Sequence, residues 1–307
     1  MKIAIIGSGG MGCLYGSYLA RGKDEVWLFD HWEAHIAKIR QDGLSVVAAD
    51  DEFTVRPRAT TYFDEIGPVD LIIICVKSYW TAEAAMLAEM VIKPETIVLT
   101  VQNGMGNAEQ LAEKVGADRL LVGATLMGGA VLEPGLVMHS GLKPTNIASW
   151  IKGHNQEKLN QLADLFMKVG LPTVVETNVD SLLWSKLSIH AGLNAVTALT
   201  RATNQQFLNS FEACRLAKMA VAEVVAVATV AGVPLLYSNC AEEMLAYAEE
   251  MQEQQSPMLQ DVLHKLKTEV DAINGSVIEA GKQYGVPTPV NETLTLTIKT
   301  IEQLYAK

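Results

Sequence analysis

The sequence predicts an α/β fold: a parallel-sheet domain at residues 1–174, followed by an all-helical C-terminal domain at residues 175–307. With 307 residues, the chain exceeds the size at which one hydrophobic core usually stops growing, so two domains are expected. Its first half alternates short β-branched runs with helical patterns, which is typical of a parallel sheet covered by helices. After Leu171 and Pro172 the pattern changes to long helical segments with few strand signals.

The individual elements follow from the period of the apolar residues. Four apolar runs predict buried parallel strands: Lys2–Gly7, Glu25–Asp30, Leu71–Val76 and Thr96–Val101. Helical spacing predicts helices between and after them: Met11–Gly22, Ala34–Gly43, Ala82–Met90 and Ala108–Val115. Two further runs are expected to continue the sheet: Leu120–Met127 and Leu136–His139. Long helices are predicted in the second half at Val179–Leu199, Gln206–Ala231 and Pro257–Tyr284.

Composition and charge exclude several classes of protein. The chain has 49% hydrophobic and 19% charged residues, an ordinary globular balance. Its formal net charge of -11 repels a phosphate backbone, so we expect no nucleic-acid partner. The longest apolar stretch, Val224–Tyr237, is expected to be a core helix because it is too short to span a membrane. Four scattered cysteines and the lack of an export signal favour a cytoplasmic location.

A glycine-rich turn follows the first predicted strand and leads into a helix, which is the context of the GxGxxG dinucleotide-binding signature. The first glycine permits the tight turn, the second lets the backbone approach a pyrophosphate, and the third allows close packing of helix and strand. A glycine turn without a ligand is the alternative. We expect six residues here to bind the nucleotide: Gly7, Ser8, Gly9, Gly10, Met11 and Gly12. The domain is therefore predicted to be of the Rossmann type.

An acid, Asp30, ends the second predicted strand about 20 residues past the glycines. A carboxylate at this place accepts a hydrogen bond from the adenosine ribose and repels a 2′-phosphate, so Asp30 favours NAD(H) over NADP(H). NADP(H) is kept as the alternative cofactor. Asp30 is otherwise a helix cap or a solvated turn acid.

Polar residues mark two further places in the chain. Lys77 and Asn103 follow predicted strands at their carboxyl ends, where an open α/β sheet holds its ligands. In the second half, Lys186, His190 and Asn194 are four residues apart and form a polar stripe on one face of an apolar helix. A cleft between an α/β domain and a helical domain commonly holds small ligands.

Together these segments resemble the ketopantoate reductase family, also called the 2-dehydropantoate 2-reductases. The resemblance spans nearly the whole chain. Its motifs are GSGGMG at residues 7–12, CVKS at 75–78, QNGMG at 102–106, WSKL at 184–187 continuing to 204, and MLQDVLHKLKTEVDAINGSV at 258–277. The resemblance implies a Rossmann domain joined to a helical domain that reduces a 2-keto acid to the (R)-2-hydroxy acid with a nicotinamide cofactor.

The resemblance also implies roles for single residues. Lys186 matches the catalytic lysine that protonates the carbonyl oxygen, and Glu269 matches the acid near the lysine and the nicotinamide ribose. A snorkelling surface lysine and a solvated helix acid are the alternatives. Further matches are cofactor contacts at Lys77, Asn103 and Gly129, and substrate contacts at Asn194 and Asn204. For Asn204, a turn or helix cap is nearly as good an interpretation.

Two positions depart from the family pattern in the predicted substrate pocket. The family usually has asparagine one turn after the catalytic lysine, where this chain has His190. It usually has serine directly before the last motif, where this chain has Pro257, with Ser256 one residue earlier. We predict that His190 hydrogen-bonds the substrate, modulates the pKa of Lys186 or is an interior histidine. Ser256 is predicted either to bind the substrate or to cap a helix that starts with Pro257.

Three functions are therefore weighed. The first is NAD(P)H-dependent reduction of ketopantoate, or a close 2-keto acid, in pantothenate biosynthesis, with Lys186 as proton donor. The second is an NAD-dependent D-2-hydroxy acid dehydrogenase acting on larger branched or aromatic 2-keto acids. The third, a non-catalytic nicotinamide-binding sensor, is disfavoured because Lys186, Asn194 and Glu269 are all present. The histidines lack metal-ligand spacing, so no metal is expected. A homodimer is a further expectation.

Overall fold

The computed structural model describes residues 1–48 and 51–305, which group into two compact units. The first unit comprises Met1–Gln102 and Asn107–Val179. The second comprises Asn103–Gly106 and Asp180–Lys307. Residues 306 and 307, with which the predicted helical domain ends, lie outside the described residues.

The first unit is built from twelve strands and five α-helices within the described residues. The strands are β1 (Lys2–Ile6), β2 (Glu25–Phe29), β3 (Leu44–Val47), β4 (Glu52–Val55), β5 (Arg58–Thr60), β6 (Leu71–Ile74), β7 (Ile97–Thr100), β8 (Leu120–Thr125), β9 (Gly128–Glu133), β10 (Leu136–Ser140), β11 (Thr145–Ser149) and β12 (Thr173–Val175). The helices are α1 (Gly10–Ala20), α2 (Glu33–Asp42), α3 (Thr81–Val91), α4 (Asn107–Val115) and α5 (Gln156–Lys168).

Eight of these strands form the main sheet, in the order β12-β11-β8-β7-β6-β1-β2-β5. Six neighbouring strands of this sheet pair in parallel, in the order β8-β7-β6-β1-β2-β5. On the other side of β8, strand β11 pairs antiparallel to it. The chain order reverses between β1 and β6, so the carboxyl ends of these two strands flank the switch point at which dinucleotides bind in such sheets. Five of these strands, β1, β2, β6, β7 and β8, lie where the sequence predicts them.

A second, four-stranded sheet has the order β4-β3-β10-β9. The sequence prediction that Leu136–His139 continues the main sheet is wrong, because this run is part of β10, which pairs with β3 and β9. Its side chains alternate between buried and half-buried, as in a strand with only one covered face. Aliphatic and aromatic side chains of both sheets and of α1 pack in one core, which includes Leu14, Tyr15 and Val137.

The second unit is helical throughout its described secondary structure. Its helices are α6 (Val179–Thr200), α7 (Asn204–Leu208), α8 (Phe211–Val230), α9 (Cys240–Glu250), α10 (Pro257–Leu263), α11 (Ser276–Tyr284) and α12 (Pro289–Gln303), with a π-helical turn at Asp271–Gly275 directly before α11.

Two long helices predicted in this half are divided in the structure. The predicted helix Gln206–Ala231 breaks at Asn209, because the side chain of Ser210 accepts the Ala213 N–H and begins α8. The predicted helix Pro257–Tyr284 breaks after α10, where Lys265 has a positive φ of 56°. The apolar stretch from Val224 likewise leaves the helix after Val230, where α8 ends.

The predicted fold class, a Rossmann-type parallel-sheet domain followed by an all-helical domain, is confirmed. Among the described residues, no helix has both the length and the apolar character needed to cross a membrane.

Candidate active site

The glycine-rich turn between β1 and α1 is shaped by steric limits that exclude side chains. Gly7 has a φ of +95°, which residues other than glycine rarely adopt, and a Cβ atom there would lie 2.7 Å from the Val76 backbone nitrogen. A Cβ atom at Gly12 would lie 1.9 Å from the Gly7 carbonyl oxygen. The first and third glycines are therefore required by the turn itself and by the close approach of α1 to it.

Gly9 differs from these two glycines, because a Cβ atom built on it meets nothing within 4 Å. Gly9 is exposed and directly precedes α1, whose first N–H groups have no partners within the helix. Such a helix start attracts anions, since the N–H groups and the helix dipole both favour negative charge. The turn thus combines an open backbone approach with an anion-binding helix end, and it fits a dinucleotide pyrophosphate. Ser8 is buried within this turn, and Met11 is half-buried in the first turn of α1.

Asp30 lies directly after β2 and accepts two backbone hydrogen bonds. Its Oδ2 accepts from the Ser8 N–H at 2.8 Å, and its Oδ1 accepts from the Trp32 N–H at 3.0 Å. The second bond closes a local turn, which agrees with the alternative interpretation of Asp30 as a turn acid. The first bond ties the half-buried Asp30 carboxylate to the glycine-rich turn.

The carbonyl group of Ser8 is also held by a hydrogen bond. The Cys13 thiol donates to the Ser8 carbonyl oxygen at 3.0 Å and lies 3.2 Å from His35 Nε2. His35 is fully buried and its Nδ1 accepts the Gly135 N–H at 3.1 Å. Burial lowers the pKa of His35 and raises that of Cys13, so both groups are neutral at physiological pH. Sequence reasoning did not predict this role for Cys13 and His35.

The predicted cofactor contacts Gly129 and Lys77 lie in the first unit. Gly129, in β9, packs directly on the turn, because a Cβ atom on Gly10 would lie 2.2 Å from the Gly129 carbonyl oxygen. Lys77 follows β6 and is half-buried. The segment around it is fixed by Gln102, whose side-chain nitrogen donates to the Val76 carbonyl oxygen at 3.0 Å and to Thr81 Oγ1 at 2.8 Å. Gln102 is a positioning residue within the QNGMG motif that sequence reasoning did not single out.

In the second unit, Lys186, His190 and Asn194 lie on α6, as predicted, and all three are buried. Their spacing of four residues places them on one face of the helix. The His190 Nδ1 and Asn194 Nδ2 atoms have no hydrogen-bond partner among the described residues. A buried polar atom without a partner costs about 1–3 kcal/mol, so two of them beside a buried lysine indicate a surface that receives a polar ligand.

The electrostatics of this face follow from burial. Desolvation lowers the pKa of Lys186 from 10.5 to about 8, and the negative charge of Glu269 partly offsets that drop. Desolvation and the nearby Lys186 charge lower the pKa of His190 to about 3. At neutral pH the lysine is therefore mostly protonated and the histidine is neutral. Of the protonation states that the sequence leaves open for His190, the structure favours the neutral one.

Glu269 is buried in the segment between α10 and the π-helical turn. The side-chain nitrogen of Asn103 lies 3.5 Å from Glu269 Oε2, within hydrogen-bond distance. Asn103 belongs to the short segment after β7 that groups with the helical unit, and the Met105 N–H of this segment donates to the Ala272 carbonyl oxygen at 2.8 Å. The structure thus brings together Lys186, Glu269 and Asn103, which lie far apart in the sequence.

Asn204 and Ser256 both take structural contacts. Buried Asn204 donates through Nδ2 to the Met251 carbonyl oxygen at 2.9 Å, while its Oδ1 has no partner among the described residues. Ser256 accepts the Leu259 N–H at 3.2 Å as the N-cap of α10 and lies 2.7 Å from Thr197 Oγ1, with Pro257 at the first helical position. The capping alternative for Ser256 is present in the structure, and substrate binding by either residue stays a prediction.

No group of three or more histidine, cysteine or acidic side chains within residues 1–48 and 51–305 is arranged to hold a metal ion. The expectation of a reaction without a metal stays a prediction.

Comparisons with known proteins place the chain in a family. The model of "Ketopantoate reductase PanE/ApbA" matches residues 3–152, and that of "Ketopantoate reductase PanE/ApbA C terminal" matches residues 178–302. The chain is 36% identical to a 2-dehydropantoate 2-reductase of Halobacterium salinarum, covering 96% of each chain. It is 32% identical to a 2-dehydropantoate 2-reductase of Pyrococcus abyssi, covering 100% of both.

Solved structures of related proteins also align with the whole chain. A PanE/ApbA family ketopantoate reductase from Ralstonia eutropha aligns with a TM-score of 0.90 at 29% identity over 100% of both chains. A D-mandelate dehydrogenase with NADH and anilino(oxo)acetate aligns with a TM-score of 0.91 at 26% identity, also over 100% of both chains. The protein is an NAD(P)-dependent oxidoreductase. More narrowly, the chain belongs to the ketopantoate reductase family.

Proposed function

We propose that this protein reduces a 2-keto acid, with ketopantoate as the first candidate, to the (R)-2-hydroxy acid, and that Lys186 donates the proton. The observation that carries the proposal is the buried Lys186, paired electrostatically with Glu269, on a helix face whose next two polar side chains have nitrogens without partners among the described residues. The names of the Halobacterium and Pyrococcus relatives support ketopantoate as the substrate.

We propose that the nucleotide is held by the glycine-rich turn, with further contacts from Lys77, Gly129 and Asn103. Asp30 makes NADH the preferred form in this proposal, because a carboxylate accepts from a ribose hydroxyl and repels a 2′-phosphate. A bound reduced nicotinamide supplies hydride chemistry at the carbonyl carbon of the substrate. The chain's own task is then to orient the keto acid and to supply the proton.

Lys186 suits the protonation step for two reasons. Negative charge develops on the carbonyl oxygen as the bond to carbon forms, and an ammonium group in a desolvated place stabilises this charge strongly. A pKa of about 8 keeps Lys186 largely protonated near neutral pH, yet makes its proton easier to give up than that of an ordinary lysine. Transfer of one proton from Nζ to the oxygen leaves a neutral amine and the hydroxy acid.

His190 and Asn194 are proposed to bind the substrate by hydrogen bonds. Asn194 Nδ2 is a donor that fits a carboxylate or keto oxygen. Asn204 is a further candidate, because its unpartnered Oδ1 can accept from a hydroxyl group of the substrate. Because His190 is neutral, it contributes a hydrogen bond rather than a charge to an anionic substrate. The positive charge that attracts the 2-keto acid is then that of Lys186.

The proposal is tested with Lys186→Ala. We expect this variant to lose turnover by on the order of 10²- to 10⁴-fold, the usual contribution of a general acid, while NADH still binds. Turnover is measured from nicotinamide absorbance and binding from NADH fluorescence. Lys152→Ala, at an exposed lysine, is the matched control and should change neither. Normal turnover in Lys186→Ala would contradict the assignment. If NADH binding is lost as well, Lys186 is needed for nucleotide binding or for folding rather than for proton transfer alone.

A second candidate is an NAD-dependent D-2-hydroxy acid dehydrogenase acting on larger branched or aromatic 2-keto acids. The likeness to D-mandelate dehydrogenase with NADH, together with Asp30 and His190, favours it specifically. A comparison of kcat/KM for ketopantoate, a branched-chain keto acid and an aryl keto acid separates the two candidates. Higher values for the larger acids would select the dehydrogenase. Tight NADH binding without turnover of any acid would revive the sensor hypothesis.

We also propose that residues 1–174 serve nucleotide binding and residues 175–307 serve substrate binding and catalysis. The cytoplasmic location and the homodimer stay predictions from the sequence.

A further inference from the structure

The segment that carries Glu269 is short, irregular and partly π-helical, and neighbouring helices of the second unit hold both of its ends. It runs from Thr268 to Gly275. Single π-helical turns are rare and less stable than α-helix, so they persist where surrounding contacts maintain them. The position of the Glu269 carboxylate depends on these contacts.

The C-terminal end of the segment is held by two asparagines. Asn274 Nδ2 donates to the Ala191 carbonyl oxygen of α6 at 2.9 Å and to Asn291 Oδ1 at 3.0 Å. Both asparagines are fully buried, and Asn274 Oδ1 has no partner among the described residues. Asn274 therefore acts as a donor to two elements at once. One of its acceptors directly follows His190 on the helix that carries Lys186.

Asn291 is itself anchored at the start of α12. Its Nδ2 donates to the Ala220 carbonyl oxygen of α8 at 3.1 Å and to Glu223 Oε2 at 2.7 Å. The Glu223 carboxylate also accepts the backbone N–H groups of Val290 and Asn291 at 2.8 and 2.9 Å. Charge-assisted bonds of this kind are strong, and they fix which way the Asn291 amide faces.

The other end of α12 holds the N-terminal end of the segment. Glu302 Oε1 accepts from the Thr268 N–H at 2.7 Å and from Thr268 Oγ1 at 2.6 Å. Lys299 pairs with Asp271 at 2.8 Å, but both side chains are exposed, so this pair contributes little. Asn274 thus provides a buried hydrogen bond that joins the Glu269 segment to α6, and Asn291 anchors Asn274 to α8 and α12.

We propose that the buried amide pair Asn274–Asn291 is a positioning device that holds the Glu269 carboxylate where its charge acts on Lys186. Neither asparagine is assigned a contact with substrate or cofactor. The inference rests on the proposed function, because it concerns the residue pair proposed to supply the proton.

The expected consequence is a change in pH dependence. Three titratable groups on elements around the Lys186 and Glu269 pair are His190 from α6, and Lys299 and Glu302 from α12. Glu269 supplies the charge that raises the pKa of Lys186, whereas His190, whose own pKa is lowered by burial and by the Lys186 charge, is neutral. If the segment shifts and Glu269 moves away, the pKa of Lys186 falls further. Turnover, which needs the protonated lysine, then declines at a lower pH.

The experiment measures the pH profile of kcat for Asn274→Ala and Asn291→Ala with a saturating keto acid and NADH. Each variant should move the basic limb to lower pH by about half a unit or more, and the double variant should shift it no further than the larger single shift. The effect on kcat should exceed that on KM. Asn274→Ser, which keeps a short donor, should restore part of the wild-type profile and serves if Asn274→Ala fails to fold.

Thr96→Val is the control for a merely structural loss. Thr96 is fully buried, and its hydroxyl donates to the Val69 carbonyl oxygen and accepts the Lys93 N–H at the start of β7, the opposite end of the strand from Gln102. It should lower thermal stability without moving the limb. An unmoved limb in both asparagine variants, with Lys186→Ala still inactive, would overturn this inference alone. Normal turnover in Lys186→Ala would instead contradict the proposed function on which this inference rests.

Discussion

Because Lys186 is buried, we predict that its positive charge lowers the free energy of unfolding of the protein. In the unfolded chain the lysine has its ordinary pKa of 10.5, and in the folded protein desolvation lowers the pKa to about 8. A shift of one pKa unit corresponds to about 1.4 kcal/mol, so holding the charged lysine in the fold costs about 3 kcal/mol. Lys186→Met, which keeps the apolar stem without the charge, should therefore raise the free energy of unfolding near neutral pH by about this amount.

The sign of the pH dependence follows from proton binding. Between a pH of about 8 and 10.5 the unfolded chain keeps the proton that the folded protein has released, so wild-type stability rises with pH in this window. The cost is present in full below the folded pKa and disappears above the unfolded pKa. The advantage of Lys186→Met should thus shrink to about half near pH 9.5.

The assay is denaturant unfolding of wild type, Lys186→Met and Lys152→Met, without nucleotide or substrate, at neutral pH and near pH 9.5. Lys152 is exposed, so its variant controls for the loss of one positive charge. A Lys186→Met protein that is no more stable than wild type at neutral pH would refute the argument that this lysine is held charged at a desolvated place. A gain that does not change with pH would assign the effect to packing.

Three further predictions concern the two units separately. Asp30→Ser should reduce the preference for NADH over NADPH by about tenfold in kcat/KM, or about 1.4 kcal/mol, and an unchanged preference would remove Asp30 as the selecting residue. Gly9→Ala should keep the stability within about 0.5 kcal/mol of wild type but weaken NADH binding, whereas Gly12→Ala should destabilise the fold by about 3 kcal/mol; equal unfolding midpoints for the two variants would contradict the steric reasoning. Ser256→Ala should lose about 1–2 kcal/mol of stability with little change in kcat/KM, and a large loss of kcat/KM would instead assign its hydroxyl to the substrate.

Local patterns were sufficient to predict the Rossmann-type sheet and the placement of the glycine-rich turn. An apolar strand such as β1 and the spacing of the glycines in the turn are both recognised from a few consecutive residues, so no tertiary information is needed to predict them. The stripe of Lys186, His190 and Asn194 was predictable for the same reason, since its period is that of one helix.

Features set by distant contacts were not predictable. The second sheet was missed because its strands are short and only partly buried, and because β10 finds its partner β3 almost a hundred residues earlier. The break after α10 depends on a positive φ at Lys265, and a lysine in the sequence gives no indication of a positive φ. The link between Asn274 and Asn291 joins two elements whose proximity exists only in the folded helical unit.

The central claim, that this chain is a nicotinamide-dependent 2-keto acid reductase, is tested most directly by the initial rate of nicotinamide oxidation when ketopantoate is offered with NADH and, separately, with NADPH. We predict rapid oxidation that stops when ketopantoate is exhausted, with NADH the faster of the two. Failure to oxidise either nucleotide with ketopantoate, and equally with branched-chain and aryl 2-keto acids, would contradict the claim.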